Sequence, residues 1–135
     1  MNNEYKDAVE LLTSQGKFYI NLGLEQVSSV LELLGNPQDS LKYFHVAGTN
    51  GKGSVCAVIS SVLEAAGIKT GLFTSPHLFD YTERIKINGV DISKADFARL
   101  VFDICKIADE NNIHLTEFEI LTVMMFKYFA ENKIL

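Results

Sequence analysis

The sequence predicts an α/β fold: a mostly parallel sheet flanked by helices, with a small β-hairpin attached. Three observations predict it. Residues 41–46 are a short strand-favouring run, a glycine-rich turn follows at 48–54, and Val55, Val58, Ile59, Val62, Leu63 and Ala66 then recur at helical spacing before Gly67. Residues 69–73 read as a second strand reached through a very short turn, giving the strand–helix–strand crossover that joins parallel strands. Residues 83–87 alternate charged and apolar side chains, meet Asn88-Gly89 and return through Val90-Asp91-Ile92, which is a hairpin signal.

The remaining elements follow in order. Residues 4–14 read as a short helix stopped at Gln15-Gly16. Leu24, Val27, Leu31 and Leu34 mark a second helical stripe, ended by Gly35-Asn36-Pro37 because proline cannot continue a helix. Residues 74–82 have no period and read as a surface loop. Ser93 with Asp96 three residues on marks a helix start, and Phe97, Leu100, Val101, Ile104 and Ala108 lay down its core stripe. Thr116 with Glu119 is another such start. The helix after it, carrying Ile120, Leu121, Val123, Met124, Met125, Phe126 and Phe129, is apolar nearly all round and needs cover on more than one side. No further strand follows, so the chain reads as part of a larger α/β domain.

At 135 residues the chain is one domain's worth. A net charge of −5 without any basic run argues against a nucleic-acid partner. The first residues lack the basic start and apolar run of a signal peptide, and no stretch is long and apolar enough to span a membrane. Cys56 and Cys105 lack metal-ligand spacing and read as reduced, packed thiols, so a cytoplasmic location is expected.

The chemistry concentrates in Gly48-Thr49-Asn50-Gly51-Lys52-Gly53-Ser54. Its glycines let successive N–H groups point at one anion, and Lys52 adds a mobile positive charge for the outer phosphates of a nucleotide. Strand, glycine turn and helix start in that order point to a phosphate-binding loop, with an ordinary glycine turn as the alternative. The loop departs from the usual pattern. Val46 stands where a first glycine is usual, and Gly53 stands where a Ser or Thr normally holds magnesium. A Mg²⁺–ATP site therefore needs metal ligands from elsewhere in the chain.

With these residues in view, the chain resembles the amino-terminal part of folylpolyglutamate synthases, within the Mur ligase superfamily, from about Leu22 onward. The resemblance rests on Leu34-Gly35-Asn36-Pro37-Gln38, on the run from His45 to Ser54, and on Thr74-Ser75-Pro76-His77-Leu78. Glu83-Arg84-Ile85 with Asn88-Gly89, and Thr116-Glu117-Phe118-Glu119, complete it. It implies that residues 1–135 are the N-terminal part of an ATP-binding domain, with a glutamate-binding C-terminal domain outside this chain. It further implies an ATP-dependent ligase that activates a carboxylate of reduced folate as an acyl phosphate and joins it to L-glutamate. Bifunctional dihydrofolate synthases share the same motifs. Cell-wall Mur ligases and a P-loop ATPase switch are the remoter alternatives.

The resemblance also assigns roles. Gly48 to Ser54 would hold ATP with Lys52 catalytic, and Ser75 and Glu119 would hold Mg²⁺. The residues themselves leave alternatives open. Ser75 can be a turn hydroxyl before Pro76, and Thr116-x-x-Glu119 is a complete capping box. The loop 75–82 corresponds to a mobile loop that encloses the pterin end of folate. Within it His77 is either a substrate contact or a solvated residue. Arg84 either grips an anion or pairs with Glu83 or Asp80, and Phe97 either lines the pterin pocket or packs in the core. His45 is expected to be buried in its strand. His114 carries no signal, and Gln26 stands where many relatives have a basic residue. The whole ligase is expected to be a monomer. The chain alone is expected to be inactive and to offer an exposed sheet edge to a neighbouring molecule.

Overall fold

The computed structural model describes residues 2–16 and 22–134; of the expected domain bounds, Met1, residues 17–21 and Leu135 lie outside them. Five helices carry the architecture: α1 (Asn2–Gln15), α2 (Glu25–Leu33), α3 (Lys52–Ala65), α4 (Lys94–Glu110) and α5 (Glu117–Glu131). Three short strands, β1 (Gly71–Phe73), β2 (Ile85–Ile87) and β3 (Val90–Asp91), form one sheet. Single 3₁₀ turns occupy Pro37–Ser40 and Tyr81–Arg84.

The core lies where α1, α2 and α5 meet α4. Every residue of the stripe expected on α4 is buried, together with Ala98 and Cys105 on its flanks. Burial pushes the Cys105 thiol up to about 11, so it stays protonated and packs as a small apolar side chain. α5 buries Ile120, Leu121, Val123, Met124, Met125 and Phe129, and is covered by α1, α2, α4 and the turn at Pro37–Ser40. That supplies the all-round cover its composition requires. Both predicted starts form: Ser93 Oγ accepts from the Asp96 amide at 3.1 Å, and Thr116 with Glu119 closes a reciprocal capping box.

The sheet departs from expectation. β1 pairs with β2 antiparallel, Leu72 opposite Lys86, and β2 pairs with β3 through the predicted Asn88-Gly89 turn. Both turn residues sit at positive φ, 48° and 76°, as a two-residue hairpin turn demands. Residues 41–47 carry no regular secondary structure, and no parallel strand pair occurs among the described residues. A strand exists only through its ladder, and residues 41–47 make none with the described residues. His45 is accordingly exposed, not buried, because no sheet neighbour covers it.

The same gap affects α3. The helix forms over the predicted residues, but it packs chiefly on β1, and Val55, Val58 and Val62 remain exposed. An apolar cleft of about 490 Å³ opens between residues 42–46, α3 and the segment 68–72, with Phe44, Val46, Ile59, Leu63 and Leu72 on its walls. No helix among the described residues is long and apolar enough to cross a membrane.

Candidate functional site

Lys52 opens α3, and the glycine turn before it decides the geometry. Gly48 at φ 148° and Gly51 at φ 74° hold conformations that L side chains rarely adopt. Gly51 is the N-cap, so no side chain caps the first amides of α3. A Cβ added at Gly48, Gly51 or Gly53 would meet no atom within 4 Å, so the space before the turn is open. Thr49, Asn50 and Ser54 are exposed around it. Lys52 Nζ donates to the Gly48 carbonyl at 2.6 Å, which folds the ammonium back across the turn. Uncapped amides, the positive end of the helix dipole and a movable ammonium together suit a phosphate chain.

A second group of residues gathers where β1 ends and α5 begins. The rings of Phe73 and Phe118 lie 6.0 Å apart, so the end of β1 meets the start of α5. Ser75 is exposed. Glu119 Oε2 accepts from the Thr116 amide at 2.8 Å, and Thr116 Oγ1 accepts from the Glu119 amide at 3.3 Å.

Between them runs the loop 74–84, which polar contacts organise. Arg84 Nε donates to His77 Nδ1 at 2.8 Å, and the His77 ring rests 4.3 Å from that of Tyr81. The Arg84 guanidinium lies 5.4 Å from the centre of the Tyr81 ring. Tyr81 donates its hydroxyl to Glu117 Oε1 at 2.7 Å; burial, then this carboxylate, pushes the phenol up to about 12. Asp80 accepts the Tyr5 hydroxyl from α1 and faces Lys94 Nζ at 3.6 Å. Burial opposes the charge on Asp80, yet Tyr5, the Thr82 amide and Lys94 outweigh it and hold the carboxyl below its ordinary range.

The chain is similar to known proteins. The dihydrofolate synthase/folylpolyglutamate synthase of Bacillus subtilis is 40% identical over 135 residues, covering 97% of this chain and 31% of its own length. A crystal structure of folylpolyglutamate synthase from Thermotoga maritima superposes with a TM-score of 0.90 at 34% identity, over 98% of this chain and 32% of that one. A folylpolyglutamate synthase complex with AMPPCP and folate gives 0.89 at 32% identity, over 96% of this chain and 33% of that one. The chain is homologous to folylpolyglutamate and dihydrofolate synthases. It spans about 26–31% of the length of the curated relatives first matched. No protein-family model matches it.

The residues expected at the site divide into four groups. The loop 48–54 stands open and exposed. His77 and Arg84 are brought together, and Arg84 pairs with His77 in place of the Glu83 or Asp80 partners considered from the sequence. Phe97 is fully buried between Tyr5 and Tyr81, which leaves its ring no surface for a ligand in this conformation. For a metal, the donors expected from the sequence are a hydroxyl at Ser75 and a carboxylate at Glu119. No cluster of three or more His, Cys, Asp or Glu suited to a metal occurs among the described residues. Few hard protein oxygens, with water and phosphate filling the shell, is a donor set that fits Mg²⁺.

Sequence reasoning missed Tyr5, Tyr81 and Glu117. Tyr5 and Asp80 are 75 positions apart, Tyr81 and Glu117 36 apart, and no local pattern announces such pairs. Asp80-x-x-Glu83 had a legible signal, the spacing of a capping box, and the structure forms one there.

Proposed function

We propose that residues 1–135 are the N-terminal part of the ATP-binding domain of a folylpolyglutamate synthase, a ligase joining L-glutamate to reduced folate. The glutamate-binding domain would lie outside these residues. The observation that carries this reading is the glycine turn with its uncapped helix start and Lys52, in a chain homologous to synthases, one of them solved with an ATP analogue and folate. In the reaction, the γ-phosphoryl group of ATP passes to a folate carboxylate, giving an acyl phosphate and ADP. The glutamate amine then attacks that carbon and phosphate leaves, forming the amide. The amides at 51–54 would seat the phosphates, and Lys52 would leave the Gly48 carbonyl to offset charge on the transferring group. Ser75 and Glu119 would hold Mg²⁺, which supplies further charge compensation when bound. His77 and Arg84 would face the folate.

The exposed face of α3 and the cleft beside it support the finer architecture. Residues 41–47 and 71–73 would be strands of a mostly parallel sheet in the whole ligase, whose further strands cover that face. Dihydrofolate synthase activity is the second reading, favoured by the bifunctional name of the Bacillus relative. The reduced, packed Cys105 accords with a cytoplasmic enzyme.

Lys52→Ala in the full-length ligase tests the proposal. Glutamate incorporation and ADP release should fall by about 10²–10³-fold, the scale for losing one group that stabilises the transition state. Circular dichroism should be unchanged. Turnover retained at the parent level removes Lys52 from the mechanism, and a parent that releases ADP without forming an amide removes the ligase.

A further inference from the structure

The two residues read as holding Mg²⁺ sit on different segments, and a short run of contacts joins those segments. Ser75 follows Thr74, whose amide donates to the Arg84 carbonyl at 3.0 Å and closes the base of the loop 74–84. Arg84 ends the 3₁₀ turn that Tyr81 begins. The Tyr81 hydroxyl donates to Glu117 Oε1 at 2.7 Å, across 36 positions of sequence. Glu117 is the first residue of α5, and Glu119 stands two residues on in the same turn. The Glu119 carboxylate accepts from the Thr116 amide at 2.8 Å, so it moves with that turn. The Tyr81–Glu117 bond therefore ties the segment bearing Ser75 to the turn bearing Glu119. The route runs through the base of the loop and leaves out its tip, so movement of the tip leaves the tie in place.

We propose that Tyr81 and Glu117 are positioning residues for the divalent cation: their hydrogen bond sets the spacing of the Ser75 segment from the Glu119 turn. The proposal rests on the reading above in which Ser75 and Glu119 hold Mg²⁺. Two oxygens drawn from separate segments must meet at one ion, and any freedom between the segments is a cost taken from cation affinity. The Tyr81 ring has its place without the hydroxyl. It lies 4.3 Å from the His77 ring, 6.1 Å from the buried Phe97 ring and 5.4 Å from the Arg84 guanidinium. Removing the hydroxyl alone thus releases the α5 turn while the ring stays packed. Glu117 needs only to be an acceptor, which a glutamine carbonyl also supplies.

Mn²⁺ binding to the full-length ligase saturated with AMPPCP tests this without turnover. Water-proton relaxation reads it, because that signal separates the protein-bound ion from the ion on free nucleotide. Tyr81→Phe and Glu117→Ala should each weaken Mn²⁺ about tenfold, the scale for losing a hydrogen bond to a charged group. The double variant should be no weaker than either single one, since both remove the same bond. Glu117→Gln should bind close to the parent. Activation by Mg²⁺ should shift by the same factor, with kcat at saturating Mg²⁺ unchanged. Parent-like Mn²⁺ binding in Tyr81→Phe, or additive losses in the pair, overturns the positioning role. So does a loss in Glu117→Gln as large as in Glu117→Ala, which would make Glu117 a cation ligand itself. Glu117→Ala carries the comparison if Tyr81→Phe does not fold. A parent whose Mn²⁺ binding ignores both Ser75→Ala and Glu119→Ala overturns the metal reading, and this proposal falls with it.

Discussion

Phe97 carries two readings, a lining of the pterin pocket and a core side chain. It opens the apolar stripe of α4, is completely buried, and takes the Tyr5 ring edge-on at 5.4 Å. Phe97→Ala should cost about 3–5 kcal/mol in denaturant unfolding, since it leaves a cavity as well as losing apolar burial. Phe97→Leu should cost under about 1.5 kcal/mol if packing is the whole role. A near-neutral alanine variant would return the residue to the ligand pocket. Two carboxylates of one loop are held below their ordinary range. The amides of Leu78, Asp80 and Phe79 lower Glu83, and Tyr5, Thr82 and Lys94 lower Asp80 against the cost of its burial. A depressed carboxylate stabilises the fold fully above its ordinary unfolded value of about 4, and that contribution fades as pH falls through the lower folded value. The unfolding midpoint of the parent should therefore drop on acidification below about pH 4, and the double variant Asp80→Asn, Glu83→Gln should show a shallower drop. Parallel pH profiles for the two proteins would show that these groups are not responsible.

Elements were legible wherever the signal was local. The Ser93 and Thr116 starts, the Asn88-Gly89 turn and the α4 stripe all appear at the expected residues, because caps and turns are settled within four positions of chain. The partner of β1 was not legible. Residues 69–73 read as a strand after a very short turn, and that reading says nothing about which neighbour or which direction. Nor does the sequence announce how close β1 lies to α5. A Cβ built on Gly71 would fall 2.6 Å from Phe129 Cζ, and Phe129 is itself buried, so the strand lies directly on that ring. Gly71→Ala should destabilise the chain by about 1–3 kcal/mol, the range for overpacking. Gly71→Ala combined with Phe129→Leu should recover part of the loss by vacating the contact. Additive losses in the pair would mean that the ring is not what the new methyl group meets.

For the molecule as a whole, the unequal cover of its helices is the feature that bears on behaviour. α4 and α5 bury their apolar residues, whereas Val58 and Val62 on α3 remain 64% and 62% exposed beside Phe44 and an open cleft. Val58 and Val62 are four positions apart and so share one face of the helix. α3 also packs on β1, which lies at the edge of the sheet order β1-β2-β3. An apolar helix face beside a sheet edge favours association. The chain taken alone should bind a fluorescent apolar dye and sediment with a mass that rises with concentration. Val58→Lys with Val62→Lys should suppress both and leave helicity intact, since lysine is a good helix former and both sites already face solvent. In the full-length ligase the same pair should be strongly destabilising if further strands cover this face, because two charges would then be buried without partners. Tolerance of the two lysines there, with turnover unchanged, would mean that the face stays in water and that the parallel sheet is not completed against it.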